Sequence, residues 1–289
     1  MFAALAGCSS SDPPAAGADT GKSDTGGSDA PKTCEEAGTV YVKNATGKAT
    51  DTTGKALVGK AISVCGNICY PGTTAADGAF TVPIDDCIKV EIFSVSVHGR
   101  PESASLYQRA PALTGTSIVL ADVFKVPILP ADGPTIAFDD KTGDVVTKAT
   151  IESGGLSLTF EAGTHVQLDI EDIELAALGQ KLRAVKVETK DFPPFTKGEN
   201  VLALYAANPF DAAFTKKKVG VSFAAPAGLA AGAKVEFVAL GNTFLSAPYD
   251  AGKLVVVGTG TVSSDGKTVS TDAGQGLSVL TWVGVRAAK

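Results

Sequence analysis

Hydrophobic residues in this chain recur at a spacing of two. Leu156, Leu158 and Phe160 alternate with polar neighbours, and along 90–97 the residues Phe93, Val95 and Val97 fall on one face. A period of two sends alternate side chains to opposite faces of a strand, so both runs are predicted as half-buried strands. Further short runs rich in Val, Phe and Thr, at 60–65, 117–129, 185–188, 201–205, 219–223, 235–240, 254–258 and 259–263, extend the series. The run "GLSVLTWVGVR" (276–286) is apolar on both faces, as a strand covered on both sides would be. Asp51-Thr52-Thr53-Gly54 reverses the chain, and Asp77-Gly78 and Ser264-Asp265-Gly266-Lys267 predict hairpins, because glycine accepts the positive φ of tight turns. Helical spacing is confined to 170–178, where Ile170, Ile173, Ala177 and Leu178 share one side. The pattern predicts an all-β protein.

It stops short of the N-terminus. Residues 9–33, "SSSDPPAAGADTGKSDTGGSDAPKT", hold no large apolar side chain. Such a segment buries too little surface to offset its ordering entropy, and is expected to be a disordered linker with a reach of roughly 25–30 Å. Immediately before it, Leu5-Ala6-Gly7-Cys8 resembles the lipobox of bacterial lipoproteins. The resemblance implies signal-peptide cleavage before Cys8 and a diacylglycerol on its sulfur. Ser9, where an Asp would hold such proteins at the inner membrane, points to the outer membrane. Only seven residues precede Cys8, with no basic start, so the expectation is a start codon upstream of Met1 or a trimmed chain.

The chain has 289 residues, 44% of them hydrophobic, enough for two ordinary domains. A net charge of −6 argues against a nucleic-acid partner, whose usual footprint is a basic face. No run of 18 apolar residues occurs that would span a membrane as a helix. With Cys8 acylated, Cys34, Cys65, Cys69 and Cys87 remain, and export favours two disulfides. Four cysteines allow three pairings. A tight turn over 65–69 would join Cys65 to Cys69 and leave Cys34 with Cys87. Cys-x3-Cys with no histidine nearby does not suit a metal.

Within 45–97, Asp51, Gly54, Leu57, Gly59, Ala61, Val64, Thr74, Gly78 and Phe80 match the strand–turn rhythm of the carboxypeptidase regulatory-like, transthyretin-like domain. That resemblance implies a seven-stranded β-sandwich, usually non-catalytic. Across 150–289, Gly155, Leu158, Ala162-Gly163-Thr164, Phe223, Pro226, Leu229, Gly232, Val235, Gly258, Gly260, Val262, Asp265-Gly266 and Trp282 resemble the ZU5-like β-sandwich of bacterial surface proteins. The departure is Lys216-Lys217-Lys218, where that pattern usually has a proline. Neither His98 nor His165 stands in the His-Phe-Ser setting at which some relatives cleave themselves. The expected organisation is therefore 1–8 signal remnant and lipobox, 9–33 linker, 34–130 first sandwich, "LPADGP" (129–134) as a connection, and 135–289 second sandwich, the two in tandem.

Chemistry is sparse. His98-Gly99-Arg100-Pro101-Glu102 misses the His-x-x-Glu spacing of metallocarboxypeptidases by one residue, and His98 and His165 both read as loop residues. Neither Gly-x-Ser-x-Gly nor a phosphate loop is present. Asp139–Asp144 and Asp169–Glu174 lack the alternating oxygens of a calcium loop and read as solvated carboxylates. Lys216–Lys218 reads as a charged hairpin end beside an edge strand. Trp282 belongs to a core, and Tyr70 and Tyr249 are the candidate exposed binding aromatics. The expectation is a non-catalytic cell-envelope lipoprotein without cofactor or metal, anchored through Cys8, a display or interaction module for an envelope protein or polysaccharide. A carbohydrate-binding envelope protein is the alternative. An enzyme ranks third, and a pocket that brings His98 or His165 beside carboxylates is the feature that would favour one.

Overall fold

In the computed structural model, β1 (Val40–Asp51) buries Val42, Ala45 and Ala49, an irregularity between Val42 and Asn44 shifting the alternation by one residue. It ends where the Asp51 carboxylate accepts from the Thr53 and Lys55 backbone N–H groups at 2.8 and 3.0 Å, an Asx turn completed by Gly54 at φ +90°. Residues 33–241 and 251–288 are described. Cys8, the rest of the expected signal remnant and linker up to residue 32, and Tyr249 lie outside them.

The protein is all-β, as the periodicity predicts. In the first half, β1 pairs antiparallel with β4 (Ala79–Ile88) and parallel with β7 (Ser117–Val119) and β8 (Phe124–Val126). A second sheet runs β3 (Cys69–Thr73), β2 (Ala61–Cys65), β5 (Ser94–Val97), β6 (Leu106–Arg109). Ile62, Val64, Val95 and Val97 of this sheet join Val42, Val82 and Phe124 of the other in one core. Cys65 and Cys69 face each other across the β2–β3 turn and are bonded, with Cα atoms 4.1 Å apart; Cys34 is bonded to Cys87 on β4. Asp77-Gly78 does turn the chain, with Gly78 at φ +80°, but not as a hairpin. The flanking strands pair elsewhere, β3 with β2 and β4 with β1, so the turn is a corner between sheets.

In the second half a nine-stranded antiparallel sheet is made of β9 (Ala149–Ser153), β10 (Leu156–Phe160), β12 (Arg183–Lys186), β13 (Val201–Asn208), β15 (Gly220–Ala224), β16 (Lys234–Leu240), β17 (Leu254–Val262), β18 (Thr268–Thr271) and β20 (Val283–Ala287). The hairpin at Ser264–Lys267 joins β17 to β18 as expected. β11 (His165–Gln167), β14 (Ala212–Thr215) and β19 (Val279–Leu280) form a small sheet whose Val166, Phe214 and Leu280 share the second core with Phe160, Val221 and Phe237. Lys216–Lys218 links β14 to β15, which lie in different sheets, so it is not a hairpin end. Its side chains fold back: Lys216 Nζ lies 2.7 Å from Asp144 Oδ2, and Lys217 Nζ donates to the Ala162 carbonyl.

The halves are not beads on a string. Trp282 is fully buried, yet its neighbours belong to the first core, and its indole N–H donates to the Ser105 carbonyl at 2.7 Å. Leu204, Ala206 and Phe210 join it there, and Thr33–Lys289 forms one compact unit. The connection at 129–134 is clamped: a Cβ on Gly133 would meet the Leu182 carbonyl oxygen at 1.9 Å. One consequence is visible on β5. Its strand character begins only at Ser94, after a 3-10 turn at Val90–Ile92, and both of its faces are buried, not one. The second half covers the outer face. The short helix is likewise inverted. α1 (Ile170–Glu174) leaves Ile170 69% and Ile173 60% exposed and turns Asp172 inward at 0%.

Candidate functional site

Where the second half crosses the outer face of β2 and β5, a cleft of about 210 Å³ opens, and polar groups from both halves converge in it. Ser63 lies on β2 and is paired in register with Ser96 on β5. His98 follows β5 by one residue, and its N–H extends the ladder by donating to the Ala61 carbonyl at 3.0 Å. Ser63 and His98 are therefore diagonal neighbours on the same face, within reach of a long side chain. Gly99 must follow, since a Cβ there would strike the Ala104 carbonyl oxygen at 2.1 Å. From the other side α1 presents Glu171, after Asp169 has capped the helix by accepting from the Glu171 N–H at 2.9 Å.

These elements produce a linear array. Ser63 Oγ stands 2.9 Å from His98 Nε2, and His98 Nδ1 stands 2.6 Å from Glu171 Oε1. A carboxylate only accepts, so Nδ1 carries a proton, and in the neutral ring the Nε2 lone pair faces the Ser63 hydroxyl. Burial raises the Glu171 carboxyl, but the bond to His98 and the charges of His98 and Arg100 outweigh it, and the group is held below its ordinary value.

Behind the array sits Arg100, 6% exposed. Its Nη1 lies 2.8 Å from Asp169 Oδ1 and 2.9 Å from Glu171 Oε2, and its Nη2 donates to the Phe210 carbonyl. The guanidinium also lies 5.8 Å from the Phe210 ring centroid. Its Nε is 3.5 Å from Asp172 Oδ1, near enough to attract and too far for a hydrogen bond. Asp172 is pushed up to about 7 by burial, against the pull of Arg100 and with the push of Asp169 and Glu171. The Tyr107 hydroxyl donates to Asp211, and burial with that carboxylate raises the phenol well above its ordinary value. Ser94 contributes a buried hydroxyl with no hydrogen-bond partner. Ile170, Phe210 and the Cys65–Cys69 bridge supply apolar wall. The array can move a proton from Ser63 to His98, with Glu171 holding the ring, which is the geometry of an activated nucleophile.

The sequence-predicted residues lie mostly elsewhere. Tyr70 is half-buried on β3, its ring 6.3 Å from Phe93 and its hydroxyl donating to Asp86 at 2.7 Å; burial and that carboxylate push it up to about 12. Among the described residues no Phe, Tyr or Trp is fully exposed. His98 and His165, expected in loops, are each only 23% exposed, and each has a carboxylate on Nδ1. Asp139 binds its own turn, accepting from the Lys141 and Thr142 N–H groups, and no metal-binding group of three or more His, Cys, Asp or Glu occurs among the described residues. Ser63 and Glu171 escaped sequence reasoning. Their one local signal is serine at the outward positions of strands whose other face is Val and Ile, which an exposed sheet face would give equally. No family model matches this chain, and neither the curated proteins nor the solved structures searched yield a match.

Proposed function

We propose that this chain is an exported cell-envelope protein, tethered through Cys8, that captures a small ligand in the cleft between its two halves. The observation carrying the binding reading is the convergence of Ser63, His98 and Arg100 with apolar walls in one concave site. Two disulfides support the exported part, since such bonds persist in oxidising compartments. Asp169, Glu171 and Asp211 line the cleft and Arg100 is the one arginine among its lining residues, so the ligand is uncharged or cationic, and an anion is repelled. The lipobox resemblance supplies the anchor, and its restored gene with Cys8→Ser should leave the membrane fraction.

Ile170 at the rim offers a test of the cleft itself. Its side chain is exposed, so Ile170→Trp narrows the entrance without disturbing a core. In ligand-observed NMR, neutral short-chain esters and amides should bind the wild-type chain and lose at least about tenfold in affinity with the variant, roughly 1.4 kcal/mol. Equal binding by both, or none by the wild type, contradicts the reading.

A further inference from the structure

We propose that the cleft does more than bind: Ser63 is a nucleophile for acyl transfer, with His98 as its base and Glu171 orienting the ring, and the substrate is a short-chain acyl ester of an uncharged alcohol. This rests on the cleft being a ligand site and adds chemistry to it. Three features of the molecule carry it. Ser63, His98 and Glu171 come from β2, the end of β5 and α1, 108 residues apart in sequence at the extremes (171 − 63), yet they align at 2.9 and 2.6 Å in the order a base-activated hydroxyl requires. The carboxylate is itself fixed, because Arg100 holds its second oxygen at 2.9 Å. The Ser94 hydroxyl, buried and without a partner, belongs to the same face of the ladder, diagonal to Ser63, and is a hydroxyl donor that the fold leaves unused beside the array.

The substrate class follows from the walls. Apolar Ile170, Phe210 and the Cys65–Cys69 bridge suit an acyl chain, about 210 Å³ keeps it short, and the surplus of carboxylates excludes acidic esters. In the reaction, Ser63 Oγ bonds to the ester carbonyl carbon as its proton passes to His98 Nε2. The alcohol departs with that proton as the C–O bond breaks, leaving acyl-Ser63. Water then attacks the same carbon and gives a proton to Nε2. The carbon–Oγ bond breaks, Oγ regains the proton, and the carboxylic acid is released.

The test uses the purified chain with its disulfides intact, a small uncharged phosphonofluoridate, and 4-nitrophenyl acetate. Mass spectrometry should find one phosphonyl group, on Ser63, with fluoride lost and the serine proton taken up by His98. Ser63→Ala should accept none, and the exposed-turn control Ser264→Ala should react as wild type. His98→Ala should react about 10²-fold more slowly. An unlabelled wild-type Ser63, or labelling indifferent to His98→Ala, overturns the nucleophile. If ester binding by NMR persists in that case the binding reading stands, and if binding is absent too both fall.

Discussion

The chain has two histidines, and the fold gives each a carboxylate partner but different surroundings. His98 Nδ1 meets Glu171 at 2.6 Å and His165 Nδ1 meets Asp144 at 2.9 Å, with identical 23% exposure of the rings. Beyond that pair they diverge. Glu171 is backed by a buried arginine, whereas Asp144 is backed by Lys216, 56% exposed. His98 Nε2 faces a serine hydroxyl inside a cleft, and His165 lines no part of that cleft. A His–carboxylate contact is therefore not what marks a site. The second cation's burial and the group on the far nitrogen are.

Removing the backing cations should separate the two sites most strongly. Arg100→Met strands Asp169, Glu171 and Asp172 at the seam and should cost about 3–5 kcal/mol in urea unfolding. Equal urea midpoints for Arg100→Met and wild type would break the comparison. Next comes pH. Asp172 is raised to about 7, so the fold holds its proton where the unfolded chain has lost it. Its contribution is full below about 4 and is lost as pH rises through 7, a change of a few kcal/mol. Asp144 has the opposite sign: the hydrogen bonds from Lys216 and His165 lower it, so its support is present above about 4 and fades as pH falls. Urea midpoints at pH 5 and 7.5 should therefore converge in Asp172→Asn relative to wild type, while Asp144→Asn leaves that interval unchanged. The smallest effect is expected of Lys216→Met, within about 1 kcal/mol, since exposed pairs contribute little.

Much of the fold was legible because it depends on local periodicity. Leu156, Leu158 and Phe160 could be assigned to one face from three residues, and Ser264–Lys267 to a hairpin from its turn chemistry. Which strands the Asp77-Gly78 turn joins was not legible, since a glycine turn serves a corner as well as a hairpin. The site was less legible still. His98 was visible as an isolated histidine, but Glu171 read as a solvated carboxylate, and Ile170 and Ile173 suggested a helix face pointing the other way. The apolar spacing failed there because burial of Asp172 against Arg100 sets the orientation of α1, and that contact joins residues 72 positions apart (172 − 100). Serines 94 and 96 looked like the wet side of a strand because the surface that dries them belongs to the second half.

Whether His98 can act as a base toward Ser63 depends on which ring nitrogen carries its proton. With only two imidazoles in the chain, nitrogen–proton correlation spectra of the ¹⁵N-labelled protein are simple, and His165→Gln assigns them. In its neutral form His98 should carry its proton on Nδ1, with Nε2 bare toward Ser63, and Glu171→Gln should weaken that preference. A proton found on Nε2 would make Ser63 the acceptor and leave the cleft without a base, contradicting the central claim.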